Sequence, residues 1–150
     1  NLYLLATGTG LAPFLSVIKD PDTYERFDRV ILTHGVRGEA DLAYRDYVTR
    51  ELPQHEYLGD TIREKLLYYP AVSREPFVHR GRITDLMASG QMMADLGIEA
   101  LDPAHDRAMI CGSPQMLADF RAILDRRGFT ASPRIGTAGE YVFERAFVEK

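Results

Sequence analysis

Short apolar runs and longer amphipathic stretches alternate along the chain. Five runs have the length and composition of strands: residues 2–6 (LYLLA), 29–33 (RVILT), 66–72 (LLYYPAV), 107–111 (RAMIC) and 141–147 (YVFERAF). The first, second and fourth are continuously apolar, the pattern of strands covered on both faces. Between the runs, residues 11–19, 40–52, 83–96 and 115–127 are predicted as helices. The last of these carries Met116, Leu117, Phe120, Ile123 and Leu124 at helical spacing and closes on Arg126, Arg127 and Gly128. Basic residues followed by a glycine are a helix stop. Strand and helix in regular succession predict a three-layer α/β fold, an open parallel sheet with helices on both faces. No repeat, linker or long charge run divides the 150 residues, so one domain is expected. Asn1 to Ala6 already read as a core strand with no initiator Met or leader, the expectation for a piece cut from a longer chain at a domain boundary.

Composition narrows the classes. Hydrophobic residues at 45% and charged residues at 27% exclude a disordered chain. With 18 basic and 22 acidic residues the formal net charge is −4, which argues against a nucleic-acid partner. No apolar run approaches the roughly 18 residues of a membrane span. The single cysteine, Cys111, excludes an intrachain disulfide and any metal site built on two or more cysteines. A domain from a reducing compartment, the cytoplasm, is expected. His34, His55, His79 and His105 fall in different segments, and none shows a metal spacing such as HExxH. Three of them read as solvated loop residues, while His34, beside Gly35 at a strand end, shapes a turn. Gly112-Ser113-Pro114 lacks the G-x-S-x-G of a nucleophile elbow. Tyr68, Tyr69, Met87, Met92 and Met93 read as packing.

The candidate chemistry begins at Thr7-Gly8-Thr9-Gly10-Leu11-Ala12-Pro13-Phe14, which follows a strand and opens a helix. An open α/β sheet takes an anion at that position. Glycines let the backbone approach a pyrophosphate, a helix start offers free N–H groups, and threonines add hydroxyl donors. Pro13 suits the first helical turn, where its missing N–H costs nothing. The third position of G-x-G-x-x-G is Pro13 here, and no Gly-Lys-Ser/Thr follows to make a P-loop. A plain strand-to-helix turn that needs glycine for positive φ fits the same residues.

Two further features bear on which nucleotide. NAD-specific domains commonly end the next strand on an acid that holds the ribose 2′-hydroxyl. Here that strand ends Thr33-His34-Gly35-Val36-Arg37, and the first acids, Glu39 and Asp41, belong to the next helix start. An arginine there suits an added phosphate and favours NADP. Ser73-Arg74-Glu75 and Arg80-Gly81-Arg82 supply a hydroxyl and guanidinium groups able to grip a dianionic phosphate bidentately. An exposed basic loop paired with Glu75 or Asp85 is the competing reading. Cys111, taken alone, reads as a buried core residue at a strand end.

Together TGTGLAPF, HGVR, VSRE, GRITDL, CGSPQM and the terminal ERAFVEK, in this order, resemble the NADP-binding domain of bacterial ferredoxin (flavodoxin)–NADP+ reductases over residues 2–150. TGTGxAPF and CG-x-P-x-M are shared by the wider flavoprotein pyridine-nucleotide reductase superfamily; the VSRE and GRI pair and the tail point to the NADP-dependent bacterial branch. The resemblance implies a Rossmann-like five-stranded parallel sheet and an FAD-binding β-barrel upstream, whose Arg-x-Tyr-Ser/Thr motif does not occur in this chain. It implies that Thr7, Gly8, Thr9 and Gly10 contact the pyrophosphate and that Thr7 also approaches the flavin. Arg37, Ser73, Arg74 and Arg82 are implied to hold the 2′-phosphate and its surroundings. Cys111 and Gly112 are implied to lie at the nicotinamide, Cys111 as a soft wall orienting the ring, since no base stands beside it to make it a nucleophile. Ala146 and Phe147 are implied to cover the nicotinamide side of the flavin ring, where plant-type relatives carry a terminal Tyr. The implied activity is hydride transfer between NADPH and FAD, with single electrons exchanged with ferredoxin or flavodoxin. Two other functions compete: an NADH-dependent oxygenase reductase component, and a nucleotide-binding module active only when docked to a partner.

Overall fold

Parallel strands cannot be joined by tight turns, so every connection between them must carry a crossover. The computed structural model, which describes residues 1–133 and 138–145, obeys this throughout. Its strands are β1 (Leu2–Thr7), β2 (Val30–Val36), β3 (Leu66–Val72), β4 (Arg107–Gly112) and β5 (Tyr141–Arg145). They form one parallel five-stranded sheet in the order β3-β2-β1-β4-β5. The chain winds outward from β1 to β3, then crosses back to lay β4 on the other side of β1. The sheet direction therefore switches between β1 and β4, where the connections leave the two strand ends toward opposite faces.

Alternation along β1 and β2 divides the core in two. Leu2, Leu4, Ala6, Val30 and Leu32 face α1 (Ala12–Ile18), α2 (Pro21–Arg26) and α3 (Gly59–Lys65), which contribute Phe14, Ile18, Tyr24 and Ile62. Tyr3, Leu5, Ile31, Tyr69, Ala108 and Ile110 face the opposite layer, formed by α4 (Ile83–Ala88), α5 (Gln91–Leu96) and α6 (Pro114–Arg126). Pro70 lies in β3, an edge strand, where a missing N–H is tolerated. The methionines expected to pack do so: Met87, Met92 and Met93 are all buried in the second layer.

The helices depart from the sequence pattern in three places. Residues 40–52 do not form one α-helix. The segment is a 3-10 turn at Glu39–Asp41, a left-handed Tyr44 (φ 66°), a π-helical turn at Tyr47–Glu51 and a 3-10 turn at Leu52–Gln54. Its apolar residues serve separate cores, which bends the chain between them: Leu42 packs with Val36 and Val72, whereas Val48 and Leu52 join the α1 layer. The expected helix over 83–96 is two helices, because Gly90 adopts φ +84° and turns the chain between α4 and α5. Finally, α2 and α3 stand where no helix was expected. Asp20 caps α2 by accepting the Asp22 N–H at 3.0 Å, and Pro21 occupies its first turn. Of the strand expected over 141–147, residues 141–145 are β5, and Ala146 and Phe147 lie outside the described residues.

Phe120 is 0% exposed at the middle of α6. Phe120→Ala is expected to lower unfolding free energy in urea by about 3–5 kcal/mol. A loss under about 1 kcal/mol would show that α6 is not fixed by this contact.

Candidate functional site

The C-terminal ends of β1 and β4 meet at the switch point, where Gly10 lies on the Cys111 backbone and Gly112 on the side chains of Thr7 and Met116. β1 ends in Thr7, and a 3-10 turn over Gly8–Leu11 runs directly into α1. Gly8 has φ +53°, and a Cβ there would have no neighbour within 4 Å, so the position needs glycine for its backbone alone. Gly10 is different. It is buried, and a Cβ on it would run into the carbonyl of Cys111. Across the gap, a Cβ on Gly112 would run into Met116 Cε and the hydroxyl of Thr7. A third glycine, Gly35 at the end of β2, would place a Cβ 2.7 Å from Ile83 Cγ2, so it lets α4 close over the strand end. These glycines leave a backbone-lined cradle, with Thr7 half-buried and Thr9 exposed at its rim. Such a cradle fits a diphosphate, since only bare backbone lets phosphate oxygens reach N–H groups from several sides. Ser113 caps α6 beside it, accepting the Met116 N–H at 3.4 Å.

Arg37, Ser73 and Arg74 come together at the neighbouring strand ends. The pairing of β2 with β3 continues past both strands: the Ser73 N–H donates to Val36 O and the Arg74 N–H to Arg37 O, each at 3.0 Å. The Ser73 hydroxyl also donates to Val36 O at 3.4 Å. Glu75, which the competing reading paired with the basic loop, accepts the Glu39 N–H and ties the two loops to each other. Among the described residues no side chain pairs with the guanidinium of Arg37 or Arg74, and both residues are exposed.

Arg82 is placed otherwise. The chain after β3 doubles back, with the Val72 N–H donating to His79 O at 3.0 Å and the Gly81 N–H to Val72 O at 2.9 Å. This delivers Arg82 to the start of α4, where its Nη2 lies 3.3 Å from Asp119 Oδ2 on α6. Gln115 holds the other oxygen of that carboxylate at 3.0 Å. The ion pair is largely exposed and contributes at most about 1 kcal/mol, so a phosphate can draw the guanidinium away. His79 is not the solvated loop residue expected. Its ring stacks on Tyr69 at 4.0 Å between centroids and 14° between planes, and its Nδ1 lies 2.9 Å from Pro70 O.

Cys111 sits in β4 between Ala6 of β1 and Glu144 of β5. Its side chain is 4% exposed and packs in the α1 layer, while its carbonyl meets Gly10. Burial, and secondarily the Glu144 carboxylate, push the thiol pKa up. A protonated thiol is a poor nucleophile, so the residue is suited to packing and to shaping the crevice, not to covalent chemistry. Among the described residues no group of three or more His, Cys, Asp or Glu side chains could hold a metal ion. Nor is any described helix long and apolar enough to cross a membrane.

Sequence reasoning missed two partners in this region. Asp119 lies inside a helix pattern with nothing to mark it as the partner of Arg82. His34 is fully buried in β2, and its Nε2 lies 2.7 Å from the Gly8 carbonyl. Its signal was a polar ring inside the apolar run VILTHGV. Alkylation of Cys111 by iodoacetamide at pH 8 is expected to be slow in the folded protein and fast after urea unfolding. Equal rates in the two states would contradict the buried, protonated thiol.

The sequence and the fold both have counterparts among known proteins. The family model described as the oxidoreductase NAD-binding domain matches residues 4–122. A ferredoxin–NADP reductase of Pseudomonas aeruginosa is 60% identical over 150 residues, which are 100% of this chain and 58% of that protein. One from Azotobacter vinelandii is 55% identical with the same two coverages, 100% and 58%. The chain thus spans under two-thirds of the length of these curated relatives. Among solved structures, a ferredoxin NADP+ reductase from Neisseria gonorrhoeae with bound FAD and NADP superposes with a TM-score of 0.79 at 30% identity, covering 97% of this chain and 56% of that one. A cytochrome P450 reductase of Amycolatopsis superposes with a TM-score of 0.63 at 27% identity, covering 96% of this chain and 37% of that one. With the family model matched over more than half its length, the chain belongs to the oxidoreductase NAD-binding domain family.

Proposed function

We propose that this chain is the NADP(H)-binding domain of a flavin-dependent reductase, preceded in the intact protein by an FAD-binding barrel, and that its electrons pass to or from ferredoxin or flavodoxin. The observation that carries the choice of NADP is the meeting of Arg37, Ser73 and Arg74 at the ends of β2 and β3, with both guanidiniums unpaired among the described residues. Two exposed arginines and a hydroxyl, with the neighbouring Glu75 carboxylate turned to the Glu39 N–H, suit a dianionic phosphate better than a bare ribose 2′-hydroxyl. The 60% identity to a ferredoxin–NADP reductase supports the same reading.

In this reading each part of the crevice has one task. Thr7, Gly8, Thr9 and Gly10 hold the pyrophosphate against bare backbone. Arg37, Ser73 and Arg74 hold the 2′-phosphate, and Arg82 joins them by leaving Asp119. Cys111 and Gly112 would border the nicotinamide. Ala146 and Phe147, outside the described residues, are assigned to the flavin's nicotinamide side by the family resemblance alone. NADPH and FAD, when bound, supply the redox chemistry themselves, a hydride passing between nicotinamide C4 and flavin N5. The chain contributes alignment and exclusion of water, and no side chain is asked to act as acid or base.

Titration of the intact protein tests this. Arg74→Ala is expected to weaken NADPH and 2′,5′-ADP by about ten- to a hundredfold and to leave NADH almost unchanged, since one charge-assisted bond is lost. An equal loss for NADPH and NADH would reduce Arg74 to a support of its loop. A wild type that prefers NADH would favour the oxygenase reductase component instead.

A further inference from the structure

His34 is the one ring in β2, and nothing in the dinucleotide reading so far uses it. It is 0% exposed in a strand flanked by β1 and β3, where its register partners are Ala6 and Pro70. An aliphatic residue there would cost nothing in desolvation, whereas an imidazole must find partners for two ring nitrogens. It finds one: Nε2 lies 2.7 Å from the carbonyl of Gly8. A carbonyl only accepts, so Nε2 carries the proton. Nδ1 is then an acceptor, and it has no hydrogen-bond partner among the described residues. Burial lowers the imidazole pKa, with the Gly8 contact opposing it, so the ring remains neutral in this tautomer.

The far end of that bond is the least constrained point of the cradle. Gly8 is exposed, stands at φ +53° and has no atom within 4 Å of the place a Cβ would occupy. No side chain therefore packs on that face of Gly8. Among the described residues, the bond from His34 is the only side-chain hydrogen bond made to residues 7–11. Gly10, by contrast, is wedged against Cys111. Beyond its own 3-10 bonding and the β1–β2 pairing before it, the turn is thus held at Gly10 by backbone contact and at Gly8 by a single imidazole.

We propose that His34 is a positioning residue for the dinucleotide: by donating to the Gly8 carbonyl it holds the Gly8–Leu11 turn in the shape that receives the pyrophosphate. The proposal rests on the assignment of that turn to the pyrophosphate. It separates from general stabilisation because 2′-AMP, which has no pyrophosphate, reaches only the Arg37, Ser73 and Arg74 corner, whereas NADP+ spans both. It also separates hydrogen bonding from bulk, because Gln and Met have nearly the same length and only Gln can donate.

The experiment compares His34→Gln, His34→Met and wild type in the intact protein, titrating each with NADP+ and with 2′-AMP. His34→Met is expected to bind NADP+ about five- to tenfold more weakly, the fold-change for losing one buried hydrogen bond, with 2′-AMP unchanged. His34→Gln is expected to bind NADP+ within about threefold of wild type. NADP+ affinity equal in all three proteins overturns the proposal, as does an equal loss of NADP+ and 2′-AMP in His34→Met. Should His34→Met not fold, a loss of NADP+ affinity well beyond threefold in a folded His34→Gln likewise overturns it. A wild type that binds NAD+ and NADP+ alike and ignores 2′-AMP contradicts the 2′-phosphate assignment, not the role of His34, which the NADP+ ratio of the two variants still reports.

Discussion

Two backbones touch at the switch point because Gly10 and Gly112 put no Cβ between them, and the rest of the crevice is arranged around that contact. A parallel sheet whose connections diverge at β1 and β4 leaves a gap between the two strand ends. In most sheets side chains would fill it. Here the turn after β1 presses through Gly10 on the Cys111 carbonyl, main chain against main chain, while Gly112 makes room for the Thr7 hydroxyl and the tip of Met116. Main chain is what a diphosphate needs, since its oxygens take N–H donors from more than one direction. The cost is strict at Gly10, where any Cβ runs into the backbone of Cys111, whereas at Gly112 a Cβ would displace the Met116 and Thr7 side chains.

The periphery of the cradle is held by few polar contacts, each of which links two segments. Continued β2–β3 pairing sets Ser73 and Arg74 beside Arg37, and Glu75 binds the backbone of Glu39 instead of neutralising Arg74. The chain as a whole carries a formal charge of −4, yet among the described residues no side chain pairs with the two guanidiniums of this corner. Net charge is a property of the surface and says little about a local anion site. The Arg82–Asp119 pair joins the loop before α4 to α6, whose start flanks Gly112. The loop before α4 and the end of β4 are therefore connected through α6.

Much of this was legible in the sequence. The strands appeared as apolar runs because the sheet is covered on both faces, and the helix at 114–126 appeared because its stripe and its stop were unbroken. The Thr7–Gly10 turn was legible because glycine spacing after a strand has a direct steric meaning. The middle of the chain was not. Leu42, Val48 and Leu52 look like a helical stripe, but they belong to separate cores. Gly90 looked tolerable within a helix and proved to be its break. Short α2 and α3 carry too few apolar positions to show a period, although Asp20-Pro21 is an N-terminal signature. Long-range partners such as His34 with Gly8 and Arg82 with Asp119 leave no local pattern, because only the fold brings them together.

The central claim is that a dinucleotide lies across the C-terminal ends of the strands, with its pyrophosphate on the glycine contact. Backbone amide NMR of the isotopically labelled intact protein, titrated with NADP+, reports this directly. The largest shifts are expected at Thr9, Gly10, Gly112 and Ser113, with a second group at Arg37, Ser73 and Arg74. Shifts concentrated at the opposite edge of the sheet, in the cleft of about 550 Å³ lined by Phe27, Ala100 and Asp102, would contradict it.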